Sequence, residues 1–446
     1  MINKSIFKAY DIRGVYPSEI NEEAVYNIGR AAAQHFAAKT IAIGRDARES
    51  SPSLFAELTR GIMDAGCSVI DLGVLTTPMV YFAAWKVPEA DMVISVTASH
   101  NPPQYNGMKF ALKNAVPVGE NSGLNDIRDL ALKGEFEEVA EKGILSMQDI
   151  KPEYYDYFAS FAHFEDKQFT IVVDTANAMG VLELEVYKRF PNNLKLVTLY
   201  DDLSHPFSAH EANPLRLDTL EELQAKVVEI NADLGIAFDG DADRVGFVDE
   251  KGDIIPMDFA TGMLAKEILR TNAGATILYD LRSSKAVKEV IEESGGVALE
   301  CKVGHSNIKQ QMREDGALFA GELSGHYYFK ENSFAEAGSL ASLILLNLMT
   351  ETGQKISELT QDLKRYFHSG EINSDVEDKD EVLATLKSKY ADGKIHELDG
   401  LKVEYPHWWF NVRPSNTEPL LRLNMEADTK ALMEEKRDEL LAIIRG

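Results

Sequence analysis

The sequence predicts an α/β fold: three related α/β domains with mixed sheets, plus a smaller C-terminal α+β domain. Three observations lead to this prediction. Short runs of β-branched residues that end in an aspartate recur three times along the 446 residues. A helix-like stretch and a second apolar run follow each of them, and this alternation is typical of a buried sheet with parallel strands. The last part of the chain lacks the pattern and alternates strand-like segments around a polar loop.

The repeated runs begin at Thr40 (TIAIGRD), Thr170 (TIVVD) and Thr276 (TILYD). The second runs are DMVISV, ADLGIAF and GALFAG, and each opens into a polar loop. Helix-like stretches such as SLFAELTRGIMDAG and SKAVKEVIEESGG lie between the two runs. A single such unit arises by chance in many α/β chains, but three in the same order indicate repeated domains.

Polar segments indicate where one domain ends and the next begins. These segments are KGILSMQDIKPEYY, DEKGDIIPMD and the charged run EINSDVEDKDE. After the last of them come the strand-like WWFNV and LLRLN and the helix-like DTKALMEEKRDELLAIIR. We therefore expect domains at residues 1–150, 151–253, 254–367 and 368–446.

The composition excludes several classes of partner. Lys and Arg number 46 and Asp and Glu 72, which gives a net charge of −26. Phosphate backbones and anionic membranes repel such a surface, so we expect neither nucleic acid nor membrane as a partner. Cys67 and Cys301, the only cysteines, have apolar neighbours and predict buried thiols. No signal segment or spanning run is recognisable, so a soluble cytoplasmic protein is expected.

The first polar loop presents a serine hydroxyl. Ser99 follows a strand-like run in TASHNPP, between small and turn-forming residues. A hydroxyl held out at a strand end can act as a nucleophile or carry a phosphate. Lys109, in the following segment, would add positive charge or transfer a proton. Taken alone, this segment fits a plain turn better than a catalytic loop.

The second loop, DGDADR, predicts a metal site. Asp239, Asp241 and Asp243 stand at every second position, and three such carboxylates can converge on Mg²⁺, which prefers oxygen ligands. The spacing also resembles a calcium EF-hand. That motif needs glycine where Arg244 stands, and the preceding LGIAF is strand-like, so we reject it. A solvated acidic turn remains the alternative.

The third loop, GELSGH, carries groups suited to sugar hydroxyls. Glu322 and Ser324 alternate, so they can present an acceptor and a donor–acceptor to one face. Upstream, His305 in VGHS is a side chain that titrates near neutrality. Ordinary glycine-bounded turns are the alternative for both segments.

The fourth loop, RPSNTEP, brings guanidinium, hydroxyl, amide and backbone donors together, and this combination can cradle a phosphate. The alternative is an exposed turn between two prolines. No GxxxxGK[ST], GxGxxG, HExxH or CxxC motif is recognisable, so ATP or nicotinamide binding has no support.

Taken together, the four loops resemble a known family. TASHNPPQYNGMKF, DGDADR, GELSGH and RPSNTEPLLR, in this order, are similar to the active-site loops of the α-D-phosphohexomutases, as are YDIRGVYP and VGHS. The resemblance covers nearly the whole chain. It implies four domains around a cleft and an enzyme that moves a phosphoryl group between C1 and C6 of a hexose. It further implies a phosphoserine enzyme, Mg²⁺, and a hexose 1,6-bisphosphate as intermediate and activator.

The resemblance also implies roles for individual residues. Ser99 would carry the phosphate, and the Mg²⁺ ligands would be Ser99 through that phosphate, Asp239, Asp241 and Asp243. Arg244 would neutralise charge, and Lys109 and His305 would transfer protons. The implied substrate-binding residues are Arg13, Glu322, Ser324, His326, Arg413, Ser415, Asn416, Thr417 and Arg422.

Three departures from glucosamine-specific relatives favour the phosphomannomutase/phosphoglucomutase subgroup. They are Leu323, Asn416 and the TASHNPP segment. Arg282 stands where some mannose/glucose relatives have lysine. Phosphoglucosamine mutase remains an alternative, as do a phosphate-transferring enzyme with Asp239 as its nucleophile and a non-catalytic protein that binds metal or sugar phosphates. The oligomeric state is left open.

Overall fold

A computed structural model describes residues 2–414 and 420–446. Within these residues the chain forms four sheets, and each sheet is built from one continuous part of the sequence. The predicted phosphate-binding residues Ser415, Asn416 and Thr417 lie outside the described part of the chain.

The first sheet contains the seven strands β1 to β7, with the order β1-β5-β4-β2-β3-β7 and with β6 paired to β5. The strands are β1 Ile12–Val15, β2 Thr40–Arg45, β3 Ser68–Val74, β4 Met92–Val96, β5 Tyr105–Leu112, β6 Val116–Pro117 and β7 Leu145–Met147. The helices are α1 Glu22–His35, α2 Ser51–Asp64, α3 Thr77–Lys86 and α4 Asn125–Lys133. Helix α3 begins where it does because the Thr76 hydroxyl accepts a hydrogen bond from the Met79 amide and Pro78 occupies the first turn.

The second sheet has the order β12-β11-β10-β8-β9. Its strands are β8 Phe169–Asp174, β9 Leu194–Leu199, β10 Leu234–Phe238, β11 Val245–Asp249 and β12 Ile254–Ile255, and its helices are α5 Lys151–Ala159, α6 Gly180–Tyr187 and α7 Glu221–Ile230. Strand β12 pairs with β11. The second sheet therefore extends two residues past the expected boundary at residue 253.

The third sheet has the order β14-β13-β15-β16-β17. Its strands are β13 Thr276–Asp280, β14 Val297–Cys301, β15 Phe319–Gly321, β16 Tyr327–Phe329 and β17 Ala335–Glu336. Its helices are α8 Met257–Thr271, α9 Lys285–Glu293, α10 His305–Asp315, α11 Gly338–Thr352 and α12 Ile356–Leu359.

The fourth sheet is antiparallel, with the order β18-β23-β22-β21-β20 and with β19 paired to β23. Its strands are β18 Phe367–His368, β19 Ile372–Asp375, β20 Lys394–His396, β21 Leu401–Tyr405, β22 Trp408–Pro414 and β23 Leu420–Ala427. Its helices are α13 Lys379–Lys389 and α14 Lys430–Arg445. The C-terminal unit is thus the predicted α+β domain.

The first three sheets share one topology, as the repeated sequence pattern predicts. In each, the strand that leads to the repeated aspartate pairs in parallel with its two neighbours, and one of these then pairs with an antiparallel return strand. The aspartates also repeat their local geometry. Oδ1 of Asp46, Asp174 and Asp280 each accepts the amide two residues further on, at 3.1, 2.9 and 2.9 Å. The three domains therefore share their turns as well as their strand order.

The hydrophobic clusters join the first three domains and leave the C-terminal domain separate. One hydrophobic cluster runs from the first domain through the second to the third, from Ala42 to Leu363. The C-terminal domain has a core of its own, from Leu386 to Ile444. Helix α11, which holds the longest apolar run of the sequence, is almost wholly buried. Among the described residues, no helix is both long and apolar enough to cross a membrane. Cys67 and Cys301 are buried and free.

Candidate active site

Ser99 lies in the loop after β4 and contacts the second domain. Its side-chain hydroxyl donates a hydrogen bond of 2.8 Å to Asp239 Oδ2 and lies 3.2 Å from Nδ1 of His100. The residue is 1% exposed and has φ of +50°, a left-handed conformation that serine rarely adopts. Burial lowers the pKa of His100 to about 2, so this imidazole is neutral. The serine is therefore held in a strained loop against the acidic loop of another domain.

Arg48 holds this loop in place and was missed by the sequence interpretation. Nη1 donates to the carbonyls of Pro102 and Tyr105, at 2.7 and 3.2 Å, and Nη2 donates to those of Ser99 and Asn101, at 2.6 and 2.7 Å. Nε donates to Asp46 Oδ2 at 3.0 Å, and the side chain is fully buried. The sequence contains a pattern that could have identified Arg48. The Asp-x-Arg pattern of GRDAR recurs as YDLR around Arg282 in the third domain.

Asp239, Asp241 and Asp243 form a buried acidic cluster between β10 and β11. One oxygen from each carboxylate lies within 4.8 Å of the others, and the three residues are at most 3% exposed. Thr77, at the start of α3, donates from its hydroxyl to Asp241 Oδ2 at 2.6 Å and from its amide to the Asp241 carbonyl at 3.0 Å. This threonine was not identified from the sequence. It orients a carboxylate of the second domain from a helix of the first.

Lys109 on β5 reaches the same cluster. Its Nζ lies 2.7 Å from Asp241 Oδ2 and 2.5 Å from Asp243 Oδ2. Burial opposes the charged ammonium, but the two carboxylates hold the pKa of Lys109 well above its usual value. Burial, Asp243 and Asp241 together raise the pKa of Asp239 to about 8. The cluster therefore carries more negative charge than one lysine neutralises.

The donor set of this cluster fits a hard divalent cation. Oδ1 of Asp241 is buried and accepts no hydrogen bond from any described residue, and Oδ1 of Asp243 has His326 Nε2 3.3 Å away, without good hydrogen-bond geometry. Buried carboxylate oxygens without donors are costly, and a cation bound between them removes both the repulsion and the lack of partners. The three aspartates thus form a metal-binding group in which every side-chain ligand is oxygen.

The third-domain loop meets the acidic cluster through His326. Nε2 of His326 lies 3.3 Å from Asp243 Oδ1, and Nδ1 lies 3.2 Å from Glu322 Oε2 and 2.6 Å from the Ser324 hydroxyl. Burial opposes protonation, but Asp243 and Glu322 raise the pKa of His326 to about 9. Arg244 Nε lies 3.4 Å from His326 Nε2. The predicted sugar-contact residues thus lie next to the metal-binding group.

His305 and Arg13 lie on two further elements around the site. His305 is the first residue of α10, its ring packs edge-on against Tyr10 at 5.3 Å, and its Nδ1 has no partner among the described residues. Burial and the nearby Lys309 hold the pKa of His305 well below its usual value, so the ring is neutral. On β1, Arg13 Nη1 donates to Asn101 Oδ1 at 2.6 Å, and Nη2 pairs with Asp11.

A second cluster contains three arginines, Arg282 from the third domain and Arg413 and Arg422 from the fourth. All three contact Glu371, a residue that the sequence interpretation passed over although it lies in the quoted run EINSDVEDKDE. Arg282 is also held by Asp280 through several hydrogen bonds, and Asp280 Oδ2 accepts the Leu323 amide at 3.1 Å. The arginine cluster and the GELSGH loop are therefore joined through Asp280.

A cavity of about 1190 Å³ lies between the first, third and fourth domains. Tyr10 and Asp11 line it from the first domain, Val303 from the third, and Arg413 and Arg422 from the fourth. This volume is larger than that of a typical small-molecule site, which is about 300–1,000 Å³. The structure thus places Ser99 against the acidic cluster and His326 against Glu322. Arg413 and Arg422 line the wide cavity.

Sequence profiles of known families match all four domains. They are described as phosphoglucomutase/phosphomannomutase α/β/α domain I, at residues 4–138, domain II at 152–252, domain III at 256–366, and the C-terminal domain at 371–443.

The chain belongs to the phosphoglucomutase/phosphomannomutase family.

Individual relatives of this family match along their whole length. A phosphomannomutase of Methanocaldococcus jannaschii is 39% identical over 98% of this chain and 97% of its own. A phosphoglucomutase of Neisseria gonorrhoeae is 35% identical over 100% and 98%. The crystal structure of a phosphoglucomutase/phosphomannomutase family protein from Burkholderia thailandensis superimposes with a TM-score of 0.91, at 31% identity, over 99% of this chain and 97% of that one.

Family membership confirms the resemblance that the four loop motifs indicate, and it confirms the fold of three related domains and a smaller fourth. Contacts join the motifs of the first three domains, Ser99 to Asp239 and Asp243 to His326. Arg413 of the fourth domain is linked to the third domain through Glu371 and Arg282. The roles of the individual residues remain predictions and are taken up next.

Proposed function

We propose that this protein interconverts the 1- and 6-phosphates of a hexose, mannose and/or glucose, through a phosphoserine at Ser99 and a hexose 1,6-bisphosphate intermediate. The contact between Ser99 and Asp239 carries the proposal, because it places a strained hydroxyl 2.8 Å from a carboxylate of the metal-binding group. The names of the relatives, phosphomannomutase and phosphoglucomutase, support the substrate class.

The proposed transfer step conserves all atoms. The bond between phosphorus and Ser99 Oγ breaks, a bond forms between phosphorus and the free hydroxyl oxygen of the sugar phosphate, and that hydroxyl gives up its proton. After the bisphosphate has turned end for end, its other phosphoryl group returns to Ser99. His305 is a candidate acceptor of the proton because it is neutral and its Nδ1 has no partner among the described residues. Ser99 Oγ takes up a proton as its bond to phosphorus breaks, and Lys109, which carries a proton at neutral pH, is a candidate donor of it.

Charge neutralisation is the main requirement of phosphoryl transfer. Mg²⁺, held by Asp239, Asp241, Asp243 and the phosphate on Ser99, would supply positive charge to the transferring group when bound. Lys109 holds two of these carboxylates in position from the first domain. Arg244, directly after the third aspartate, is the cationic side chain proposed to neutralise the phosphoryl oxygens.

Other residues would hold the rest of the substrate. Glu322, Ser324 and His326 are proposed to contact sugar hydroxyls, and Arg13 to line the cleft. We assign the non-transferring phosphate to Arg413 and Arg422, together with the predicted loop residues Ser415, Asn416 and Thr417. Guanidinium groups suit this role because they bind phosphate oxygens in pairs.

Mannose or glucose is favoured over glucosamine by Leu323 and Asn416, at which this chain differs from glucosamine-specific relatives. We propose a cytoplasmic location on the basis of the two free, buried cysteines.

The proposed function is tested by assaying the purified protein on mannose, glucose and glucosamine 1-phosphates with Mg²⁺ and a trace of glucose 1,6-bisphosphate. We expect turnover of the first two, and intact-mass spectrometry should show one phosphoryl group on the active protein. In Ser99→Ala that group and nearly all activity should be lost. Ser146→Ala, a change at an exposed serine of the same domain, is the matched control and should keep both.

Three outcomes would decide against this proposal. Full activity in Ser99→Ala would exclude the phosphoserine route. A covalent phosphate that hydroxylamine removes would point to an acyl phosphate on Asp239. Absence of turnover on all three sugar phosphates, with sugar phosphate binding retained, would indicate a non-catalytic binding protein.

A further inference from the structure

Glu371 lies among three arginines at the junction of the third and fourth domains. Its Oε2 is 3.2 Å from Arg282 Nη1 and 3.5 Å from Arg413 Nη2, and its Oε1 is 3.3 Å from Arg422 Nη1. The residue follows Gly370 and directly precedes β19, in the segment where the chain passes from one domain to the other. One carboxylate therefore joins guanidinium groups of both domains.

The three arginines are held by the fold independently of Glu371. Asp280 fixes Arg282 by hydrogen bonds to Nε and Nη2. Arg413 and Arg422 face each other across the β22–β23 pairing and are therefore placed by the sheet. Removing the Glu371 charge should consequently leave the guanidinium groups close together.

The charge balance of this cluster depends on Glu371. Among the described residues it is the only acidic side chain that forms a salt bridge with Arg413 or with Arg422. Burial opposes its ionisation, but Arg282, Arg413 and Arg422 lower the pKa of Glu371, so the carboxylate is charged at neutral pH. Its contacts are single and lie at the long end of the hydrogen-bond range, which favours ready exchange for another acceptor.

We propose that Glu371 competes with the non-transferring phosphate of the substrate for Arg282, Arg413 and Arg422. This inference rests on the proposed function, in which Arg413 and Arg422 hold that phosphate. Arg282 is added here because it contacts the same carboxylate. The carboxylate and a phosphate need the same N–H donors and carry charge of the same sign, so each weakens the binding of the other. Weaker binding of the phosphate by the arginines would help turnover, because the bisphosphate has to leave them and turn around between the two phosphoryl transfers.

Titration calorimetry with inorganic phosphate tests the competition without any need for turnover. EDTA is present, so that bound metal does not contribute. Glu371→Gln keeps the shape of the side chain and removes its charge. We expect phosphate binding tighter by between about fourfold and a few hundredfold, the range for one like charge about 5 Å away at the dielectric constants of water and of a protein surface. Glu371→Ala should shift the binding in the same direction. The matched control is Asp375→Asn, an exposed acid at the other end of β19, which should bind phosphate as the unaltered protein does.

A double variant locates the effect. Arg413→Ala added to Glu371→Gln should abolish the gain in affinity, because the strengthened site contains that guanidinium. Steady-state kinetics should show the consequence of tighter binding: a lower KM for the sugar phosphate together with a lower kcat, since release of the phosphate is slowed.

Phosphate binding that is unchanged or weaker in Glu371→Gln would overturn the inference and indicate that Glu371 only braces the arginines. A gain that survives Arg413→Ala would also overturn it, because the phosphate would then bind elsewhere. Failure of the proposed function would be seen separately, as lack of mutase turnover in the unaltered protein, and the phosphate titration does not depend on that assay.

Discussion

Replacing Arg48 by alanine should loosen the loop that carries Ser99. The guanidinium makes four hydrogen bonds to carbonyl groups of residues 99–105 and one side-chain hydrogen bond to Asp46, and it is fully buried. Its loss leaves Asp46 as a buried charge without its cation, which costs about 3–5 kcal/mol. The four carbonyl groups also lose their donor. We therefore expect the free energy of opening of this loop to fall by about 3 kcal/mol.

Hydrogen–deuterium exchange measures this opening directly. A change of about 3 kcal/mol corresponds to roughly a hundredfold faster exchange of the loop amides, since 1.4 kcal/mol is a factor of ten. Phosphorylation of Ser99 and mutase turnover should fall with it, because the serine is no longer held against Asp239. Arg48→Lys retains the charge but has fewer donors, so its exchange rate should be intermediate.

Arg60→Ala is the matched control for Arg48→Ala. Arg60 lies on α2 with its side chain 56% exposed and pairs with Glu57, so its loss should change neither exchange nor turnover measurably. If Arg48→Ala exchanged its loop amides at the rate of the unaltered protein, the assignment of Arg48 as the residue that positions Ser99 would be refuted.

Two further predictions concern the acidic cluster and a histidine–aspartate pair of the second domain. Asp241→Asn should lower Mg²⁺ affinity in titration calorimetry and reduce turnover sharply while the thermal midpoint stays within a few degrees; unchanged Mg²⁺ affinity would contradict the proposed ligand set. Burial opposes protonation of His210, but the buried Asp174 at 3.0 Å raises the pKa of the imidazole. The charged pair therefore stabilises the folded protein fully at pH values below about 6.5, the pKa of histidine in the unfolded chain. This contribution is lost as the pH rises through the higher pKa of His210 in the folded protein. His210→Gln should lower the thermal midpoint more at pH 6 than at pH 9, and an equal loss at both would show that charge plays no part.

The repeated domains were predictable because their pattern is local. Runs such as TIAIGRD, TIVVD and TILYD combine β-branched residues with a terminal aspartate, and the structure forms a strand at each of them. The chemistry of the loop motifs was also predictable, because residue type alone indicates it. The motifs are a serine at a strand end, three alternating aspartates and an arginine-rich turn. Their order along the chain was enough to predict the family.

The contacts between the loops required the tertiary structure. Ser99 and Asp239 are 140 residues apart in sequence, and so no local pattern relates them. Lys109 illustrates the same limit, because only the packing of the first domain on the second shows that it forms salt bridges with Asp241 and Asp243. The charge states of these groups follow from burial and from neighbours in other domains.

Three residues show the difference between what the sequence indicates and what the tertiary structure decides: Arg48, Thr77 and Glu371. Each is an ordinary polar residue of a helix start or a loop when the sequence is considered alone. Each acquires its importance from partners in another segment: four loop carbonyls, a carboxylate of the second domain, and arginines of two domains. Residue type and spacing thus determine strands, helices and the chemistry available at each loop. Only the packing of the domains decides which groups meet, because hydrogen bonds and charge interactions act over distances of a few ångströms in space, whatever the separation along the chain.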